Sequence, residues 1–217
     1  MSHFVHIHGA AGAGGALVAA LERSLHEARE PGVVPLTHEP IVLPDADPLP
    51  VDQDARLLLC QIEGTPERLA AKIGAIARII PGVSAIAHQA MTLERIKPGG
   101  PEEPNAPGEA VSWIVQYNGP AKDPRAFHDY YRQHHVPIVL RMPGIRSLNC
   151  YLPSASTPGA GLPAVNHLLL VQAVFDDVEG LLAMRRSPQR REGLRDFDNY
   201  PAFEGPVTHQ AMRSRRI

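Results

Sequence analysis

The sequence is poor in cysteine: only Cys60 and Cys150 occur among its 217 residues. Both lie in apolar runs that are typical of strands, and cysteines in such runs are usually buried thiols that form no bridge. We therefore expect a protein that functions without disulfides in the reducing environment of the cytoplasm.

The chain also lacks an excess of charge and a long apolar segment. Its 21 Lys and Arg nearly balance its 23 Asp and Glu, so no basic surface for phosphates is expected, and nucleic acid is not an expected partner. No stretch reaches the ~20 apolar residues that a membrane-spanning helix needs. The N-terminus, MSHFVHIHGA, lacks the basic region of a signal peptide. We expect a soluble, unprocessed protein with no membrane partner.

A short motif occurs twice. Residues 85–96 read AIAHQAMTLERI and residues 206–217 read PVTHQAMRSRRI, so both contain His-Gln-Ala-Met followed at the same offset by Arg-Ile. Residues 97–110 are rich in proline, glycine and charge, which is typical of a solvated linker. The pattern indicates two small domains, in residues 1–96 and 111–217, a division that suits a chain of this length.

The first half contains four strand-like runs, FVHIH (4–8), GVVPLTHEPIVL (32–43), RLLLCQIE (56–63) and VSAIAHQAM (83–91). Leu17, Leu21 and Leu25 recur at helical spacing and predict a helix after the first strand. A second helix is predicted to begin at Thr65 as its cap, with Pro66 in its first turn, and to end before Pro81.

The second half repeats this order. Its strand-like runs are VSWIVQYN (111–118), IRSLNCYL (145–152), NHLLLVQAVF (166–175) and a last strand through His209. One helix is predicted with Asp123 as cap and Pro124 at its first position, ending before Pro143-Gly144. Another is predicted to begin near Asp176 or Asp177.

Both halves thus follow the order β-α-β-β-α-β, which is typical of the ferredoxin-like α+β fold with both helices on one face of an antiparallel sheet. Each sheet would leave its other face bare. We expect the two repeats to pack sheet to sheet into an α+β barrel within one chain, of the kind that two chains otherwise form by dimerising. A homodimer beyond this intrachain barrel stays open.

The second half resembles the EthD-like family of the dimeric α+β barrel superfamily. The resemblance depends on three stretches, FHDYYRQHHVPIVLRMPGI (127–145), VFDDVEGLLA (174–183) and SPQRREGLRDFDNY (187–200). The signature Tyr-x-x-x-His-x-Pro falls on Tyr131, His135 and Pro137, and the first half lacks it.

This resemblance implies a cleft between sheet and helices for a small, largely apolar molecule. The superfamily includes cofactor-free lactone isomerases, aromatic polyketide cyclases and monooxygenases. In the methylmuconolactone-isomerase relatives, a histidine placed like His135 transfers protons, with a tyrosine partner where this sequence has Leu148. We therefore expect cofactor-free proton transfer of the isomerase, cyclase or lyase type on a small aromatic, lactone or polyketide intermediate. A non-catalytic binding protein and a cofactor-free monooxygenase are the alternatives.

Helical spacing places Phe127, Tyr131 and His135 on one stripe, and Tyr130 with His134 on the next. Pro137 cannot donate to the carbonyl four residues earlier, so the helix is weakened where His135 would face a cavity. The alternative is a half-buried histidine that only satisfies a carbonyl. We predict His135 as the proton carrier and His134 as a surface residue.

Two further residues complete the predicted catalytic group. Asp196 is the candidate carboxylate partner that holds the tautomer of His135, although a turn aspartate is an equally good reading. Tyr131 can orient a substrate oxygen through its hydroxyl or can belong to the core.

Four residues are predicted to bind substrate: Trp113, Tyr117, Tyr200 and His209. The first two alternate on one strand face, where they line the cleft or form an aromatic core. The strand histidines His6, His8, His88 and His209 raise the question of a metal, but no partner carboxylate pattern accompanies them, so we expect no metal. The resemblance implies that no cofactor is used either.

Two features of the first half complete the sequence-based hypothesis. GAAGAGG (9–15) mimics a dinucleotide loop but lacks the parallel β-α-β context, so we interpret it as a flexible connection. The segment matching the second half's helix, residues 13–30, offers only His26 and acidic residues. We expect one working site, in the second half.

Overall fold

The computed structural model describes residues 2–9, 19–20, 23, 34–43, 56–63, 83–101, 103, 108–154 and 163–217. Its centre is a closed barrel of eight strands. The strands are β1 (Ser2–Gly9), β2 (Val34–Pro40), β3 (Arg56–Glu63), β4 (Val83–Lys97), β5 (Glu109–Asn118), β6 (Ser147–Pro153), β7 (His167–Phe175) and β8 (Val207–Arg216). All neighbouring strands are antiparallel. The predicted α+β class and the barrel within one chain are confirmed.

The strands follow the order β1-β3-β2-β8-β5-β7-β6-β4 around the barrel. Each half therefore contributes four adjacent strands, and the halves join where β2 pairs with β8 and β4 pairs with β6. Strand edges expose unpaired N–H and C=O groups. The junctions satisfy these groups, so the halves meet through strand edges as well as through side chains inside the barrel.

All eight predicted strands are present, most of them with different ends. β3 coincides with the predicted run, whereas β4 continues six residues past Met91 to Lys97 because its second part pairs with β6 of the other half. The predicted run 32–43 contains β2, after which Ile41 donates its backbone N–H to the carbonyl of Ala211 at 2.9 Å. Pairing between the halves lengthens strands in a way that local sequence does not record.

The first helix of the second half begins at its predicted cap. Helix α1 (Pro124–Tyr130) is capped by Asp123, which accepts from the N–H of Ala126 at 2.9 Å. A π-helical turn (Tyr131–His135) and helix α2 (Val136–Leu140) continue it. The chain then turns at Gly144, whose φ of 76° favours glycine and where a Cβ would lie 3.1 Å from the carbonyl oxygen of Gly180.

Two more helices precede the last strand. Helix α3 (Val178–Arg186) is capped by Asp177, which accepts from the N–H of Gly180 at 2.8 Å. Helix α4 (Pro188–Asp196) is capped by Ser187 and is followed by a 3-10 turn (Phe197–Asn199). No helix among the described residues is long and apolar enough to span a bilayer.

Several predictions for the first half fall outside the described residues. They include the helix from Thr65 to Pro81, nearly all of the GAAGAGG segment, His26, and most of the helix over Leu17 to Leu25, of which residues 19, 20 and 23 are described and are helical. Of the predicted linker, residues 97–101, 103 and 108–110 are described.

The strands separate two apolar clusters. Odd-numbered residues of β5, such as Trp113 and Tyr117, face the helices and join a large cluster that contains Phe127 and Tyr131. The even-numbered Ile114 belongs to a smaller cluster with Phe4 and other residues of both halves. Because side chains alternate along a strand, these clusters lie outside and inside the barrel wall.

The inside of the barrel also holds a closed ring of hydrogen bonds. His38 contacts Ser214 at 2.7 Å and Gln61 at 3.2 Å. The ring continues through Tyr151, Gln172 and Ser112 and returns to Ser214. Burial lowers the pKa of His38 to about 4, although its hydrogen bond with Gln61 raises it. This neutral imidazole joins strands of the two halves.

Both cysteines are buried free thiols. Cys60 lies in β3, and Cys150 lies in β6 on the helix-facing side. Burial raises the pKa of each thiol to about 12. Both are therefore protonated at neutral pH and unsuited to attack a substrate.

Candidate functional site

The site begins with a widened turn in the helix of the second half. The backbone N–H of Val136 bonds the carbonyl of Tyr131, five residues earlier, which is the π-helical spacing. Pro137 has no N–H to give to Gln133, so the regular α-helical bond is lost here. Such π-turns occur frequently at functional sites because they re-aim side chains. The turn contains both Tyr131 and His135.

His135 and Asp196 are joined by a short hydrogen bond. Nδ1 of His135 lies 2.9 Å from Oδ2 of Asp196, and the hydroxyl of Tyr130 donates to Oδ1 of the same carboxylate at 2.9 Å. A carboxylate can only accept, so Nδ1 carries the proton and Nε2 keeps a lone pair. No other hydrogen bond of His135 is present among the described residues. The arrangement fixes one imidazole tautomer.

The surroundings of His135 favour its neutral form. The side chain is buried, and burial lowers its pKa below the usual value. The hydrogen bond and charge of Asp196 act in the opposite direction, while the charge of Arg190 lowers the pKa further. A neutral imidazole with a free lone pair at Nε2 can accept a proton near neutral pH.

A cavity of about 50 Å³ of water-accessible volume lies between the sheet and the helices. That volume is large enough for several water molecules. Its wall is formed by Trp113, Val115, Tyr117, Tyr131, His135, Val139, Met142, Ile145, Val171, Ala173, Met184, Arg190 and His209. The wall is mostly apolar, with a few polar groups that converge on one space, which is typical of small-molecule sites.

Tyrosine hydroxyls supply hydrogen-bond donors at this cavity. The rings of Tyr117 and Tyr131 pack edge to face with centroids 5.6 Å apart, and Tyr200 stacks on Tyr117 at 5.8 Å. Burial is the main cause that raises the pKa of Tyr117 to about 12 and raises those of Tyr131 and Tyr200 as well. All three are therefore neutral donors at pH 7.

Trp113 and His209 form another part of the wall. Their ring centroids are 5.5 Å apart, and the guanidinium of Arg185 lies 5.7 Å from the centroid of Trp113. Burial, helped by the charges of Arg190 and His135, lowers the pKa of His209 to about 3. Its Nδ1 has no hydrogen-bond partner among the described residues.

The structure brings the predicted site residues together in two layers. Trp113, Tyr117, Tyr131, His135 and His209 line the cavity. Asp196 stands behind His135 as the last residue of α4.

The remaining predicted positions flank this group. The ring of Tyr200 packs on His135 with centroids 5.3 Å apart but lies outside the cavity wall. His134 is exposed, as expected of a surface residue. Leu148 is fully buried in the helix-facing apolar cluster.

Three site residues were missed at the sequence level. Helical spacing grouped Tyr130 with the surface residue His134, but the Tyr130 hydroxyl donates to the carboxylate of Asp196, which also bonds His135. Arg190 was hidden in a run of arginines, although it faces the cavity from the first turn of α4. Gly193 approaches His135 so closely that a Cβ there would lie 3.3 Å from Cε1 of the imidazole. Arg190 and Gly193 are three apart on α4, a spacing that places them on one helix face.

The strand histidines lie at separate places. His6 contacts His167 with their Nε2 atoms 3.0 Å apart, and Nε2 of His3 lies 2.7 Å from Nδ1 of His88. His209 packs on Trp113. Within the described ranges, no group of three or more His, Cys, Asp or Glu side chains is placed to hold a metal ion.

Comparison with known folds covers nearly the whole chain. An anthrone oxidase-like protein superposes with a TM-score of 0.65 at 11% identity, over 99% of this chain and 92% of the other. A proposed monooxygenase from Fusobacterium nucleatum gives a TM-score of 0.63 at 9% identity, over 98% and 91%. A chlorite dismutase from Candidatus Nitrospira defluvii gives 0.53 at 11% identity, over 97% and 90%. Such distant likenesses establish the shared fold.

Sequence comparison finds a family match in the second half of the chain. No curated protein sequence is significantly similar to the chain. A model of the EthD domain matches residues 119–201, a range that contains the π-turn, His135, Arg190 and Asp196. Residues 119–201 are therefore an EthD domain, within an eight-stranded α+β barrel.

Proposed function

We propose that the protein is a cofactor-free enzyme of the isomerase, cyclase or lyase type that moves a proton on a small apolar aromatic, lactone or polyketide intermediate. One observation supports this above all others. His135 lines the cavity while Asp196 holds its Nδ1 at 2.9 Å. An oriented, neutral histidine that lines a mostly apolar cavity is an arrangement suited to general base catalysis.

In the proposed reaction, Nε2 of His135 removes a proton from a carbon next to a carbonyl group. The imidazolium that forms is stabilised by Asp196. Negative charge develops on the carbonyl oxygen, where the hydroxyl of Tyr131 or Tyr117 donates a hydrogen bond. In an isomerisation, His135 then returns the proton to another atom of the same intermediate. In a ring closure, the carbanion attacks a second carbonyl carbon of the intermediate, the π bond of that carbonyl breaks, and His135 returns the proton to the alkoxide that forms.

The second half is proposed to supply this site and the first half to support it. In each half the strands follow the same order, β4-β1-β3-β2 and β8-β5-β7-β6. This correspondence supports two ferredoxin-like repeats, residues 1–96 and 111–217, joined by the linker 97–110. The signature residues occur in the second repeat alone, so one working site in a cytoplasmic protein is the simplest arrangement.

The proposal is tested by proton exchange. Purified protein is incubated in D2O with small lactones and aromatic 1,3-diketones, and loss of C–H signals is followed by NMR. We expect at least one compound to exchange faster than in buffer. His135→Gln should abolish that excess and His134→Gln, on the exposed side, should keep it. Exchange that is equal in wild type and His135→Gln contradicts the proposal.

Two other functions are distinguished by the same samples. A binding protein would hold these compounds without accelerating exchange, and the mostly apolar wall of the cavity suits that function as well. A cofactor-free monooxygenase is suggested by the names of structural neighbours, the anthrone oxidase-like protein and the proposed monooxygenase. It would consume oxygen with a quinol-type substrate, which an oxygen electrode measures.

A further inference from the structure

Arg190 is the one ionised side chain among the described residues that line the cavity. It extends from the first turn of α4, where Ser187 caps the helix by accepting from the N–H of Arg190 at 3.1 Å. The rest of the wall consists of apolar side chains, tyrosines, Trp113 and two buried histidines. No aspartate or glutamate of the described chain shares that wall.

A guanidinium in a mostly apolar cavity wall favours ligands with an ionised oxygen. Its planar fork of N–H groups matches a carboxylate or another ionised oxygen, and the interaction strengthens where water is excluded. Neutral tyrosine hydroxyls in the same wall add donors for oxygen atoms and no competing negative charge.

From this geometry we propose that the cavity takes a small molecule with an ionised oxygen, either a carboxylate or an acidic enol or phenol, and that Arg190 receives that oxygen. The inference rests on the proposed function, because it names the substrate class of the same cavity. With the oxygen held at Arg190, the apolar body of the molecule packs against Trp113 and Val171, and a C–H bond is presented to His135.

Through Arg190, binding of an anion would also change the pKa of His135. Its positive charge is one of the causes that lower the pKa of His135. An anion bound at Arg190 offsets that charge, so the pKa of His135 should rise when the cavity is filled. The base would then be stronger with substrate present than in the empty site, which is a coupling that a neutral ligand cannot produce.

Equilibrium binding of matched probes tests the inference without turnover. Benzoate and benzamide have nearly the same shape and differ in charge. A charge-assisted hydrogen bond of about 1.5–3 kcal/mol corresponds to about 10- to 100-fold in affinity. We expect wild type to bind benzoate more tightly than benzamide by this factor, as measured by calorimetry or by NMR titration.

Variants assign the preference to Arg190. Arg190→Gln should bring benzoate down to the affinity of benzamide, whereas Arg191→Gln, its exposed neighbour, should leave the preference intact. Arg190→Lys keeps the positive charge but lacks the planar fork of N–H groups, so it should retain part of the preference for benzoate. 4-Nitrophenol, titrated below and above the pH at which it ionises, separates a phenolate site from a carboxylate site. Thermal unfolding of each variant controls for the fold.

The outcomes separate this inference from the proposed function. Equal affinity of wild type for benzoate and benzamide, no saturable binding of any ionised probe, or a preference that survives in Arg190→Gln overturns it. A benzoate preference in a wild-type protein that accelerates no proton exchange supports the anion site and contradicts the enzyme. A preference that persists in His135→Gln shows that anion binding does not depend on the proposed base. A rise in the pKa of His135 on adding benzoate, absent in Arg190→Gln, supports the coupling.

Discussion

Nδ1 of His135 and Oδ2 of Asp196 lie 2.9 Å apart, with side-chain exposures of only 10% and 12%. The two residues are 61 positions apart in sequence and meet because α4 packs against the π-turn. The carboxylate holds the imidazole proton on the side away from the cavity.

His135→Ala should lower turnover by about 10²- to 10⁴-fold, the range typical of a general acid or base. His134→Ala should have little effect, because that side chain is exposed and faces away from the cavity. Rates on the substrate identified by proton exchange provide the measurement. The assignment is wrong if His134→Ala is the damaging change, or if His135→Ala loses its thermal stability together with its activity.

Asp196→Asn keeps the shape of the side chain but removes its charge. The charge of Asp196 raises the pKa of His135 against the effect of burial, so the variant should contain a weaker base. Each unit of lost pKa corresponds to about tenfold in proton affinity. We expect a tenfold or greater loss of turnover and a changed imidazole tautomer in 15N NMR spectra. Tyr130→Phe, which keeps the Asp196 to His135 bond, is the milder control.

Part of this arrangement could be predicted from sequence. The caps Asp123 and Asp177 and the Pro143-Gly144 stop are local signals, so the starts of α1 and α3 were predicted. The break at Ser187 and the separate helix α4 were not predicted. His135 was predicted as the proton carrier through the family resemblance, whose signature places it two residues before Pro137. The grouping of Tyr130 with Asp196 could not be predicted, because a π-turn rotates side chains away from their α-helical positions.

Pairing between strands of the two halves could not be predicted from the sequence either. The part of β4 beyond Met91 forms a strand because it meets β6 of the other half. The ring that links His38 to Ser214 joins residues 176 positions apart. Such contacts depend on barrel closure, and local periodicity does not encode which edges meet.

Gly193→Ala should lower turnover more than it lowers thermal stability. A Cβ at this position would lie 3.3 Å from Cε1 of His135 and 3.3 Å from Cε of Met142. The methionine end can move, but the imidazole is held by Asp196, so the ring should be displaced. Alanine stabilises a helix interior relative to glycine by about 1 kcal/mol, which limits any loss of stability. Turnover and thermal unfolding of the variant are the two measurements.

Gly180→Ala is the matched control. It lies in α3, and a Cβ there would meet only ordinary contacts of 3.5 Å or more. It should leave turnover unchanged. Equal turnover in Gly193→Ala and Gly180→Ala would show that His135 tolerates the displacement and that close approach of α4 is not needed for activity.

The buried histidines make stability depend on pH below neutrality. Burial lowers the pKa of His3 and His38 to about 4 and that of His209 to about 3, whereas the unfolded chain retains values near 6.5. Between these limits the unfolded state binds more protons than the folded state, so the free energy of unfolding rises with pH. The stability is fully present above about pH 6.5 and falls as the pH is lowered towards 4.

Each such histidine contributes a slope of up to about 1.4 kcal/mol per pH unit within this window. Urea unfolding at pH 7.5, 6.5, 5.5 and 4.5 measures the total. His38→Asn should lower stability at every pH, because it breaks the hydrogen-bonded ring, but it should also flatten the pH dependence by about one histidine's share. His134→Asn, at the exposed position, should leave the slope unchanged. A free energy of unfolding that stays constant between pH 6.5 and 4.5 would show that these imidazoles are protonated in the folded protein.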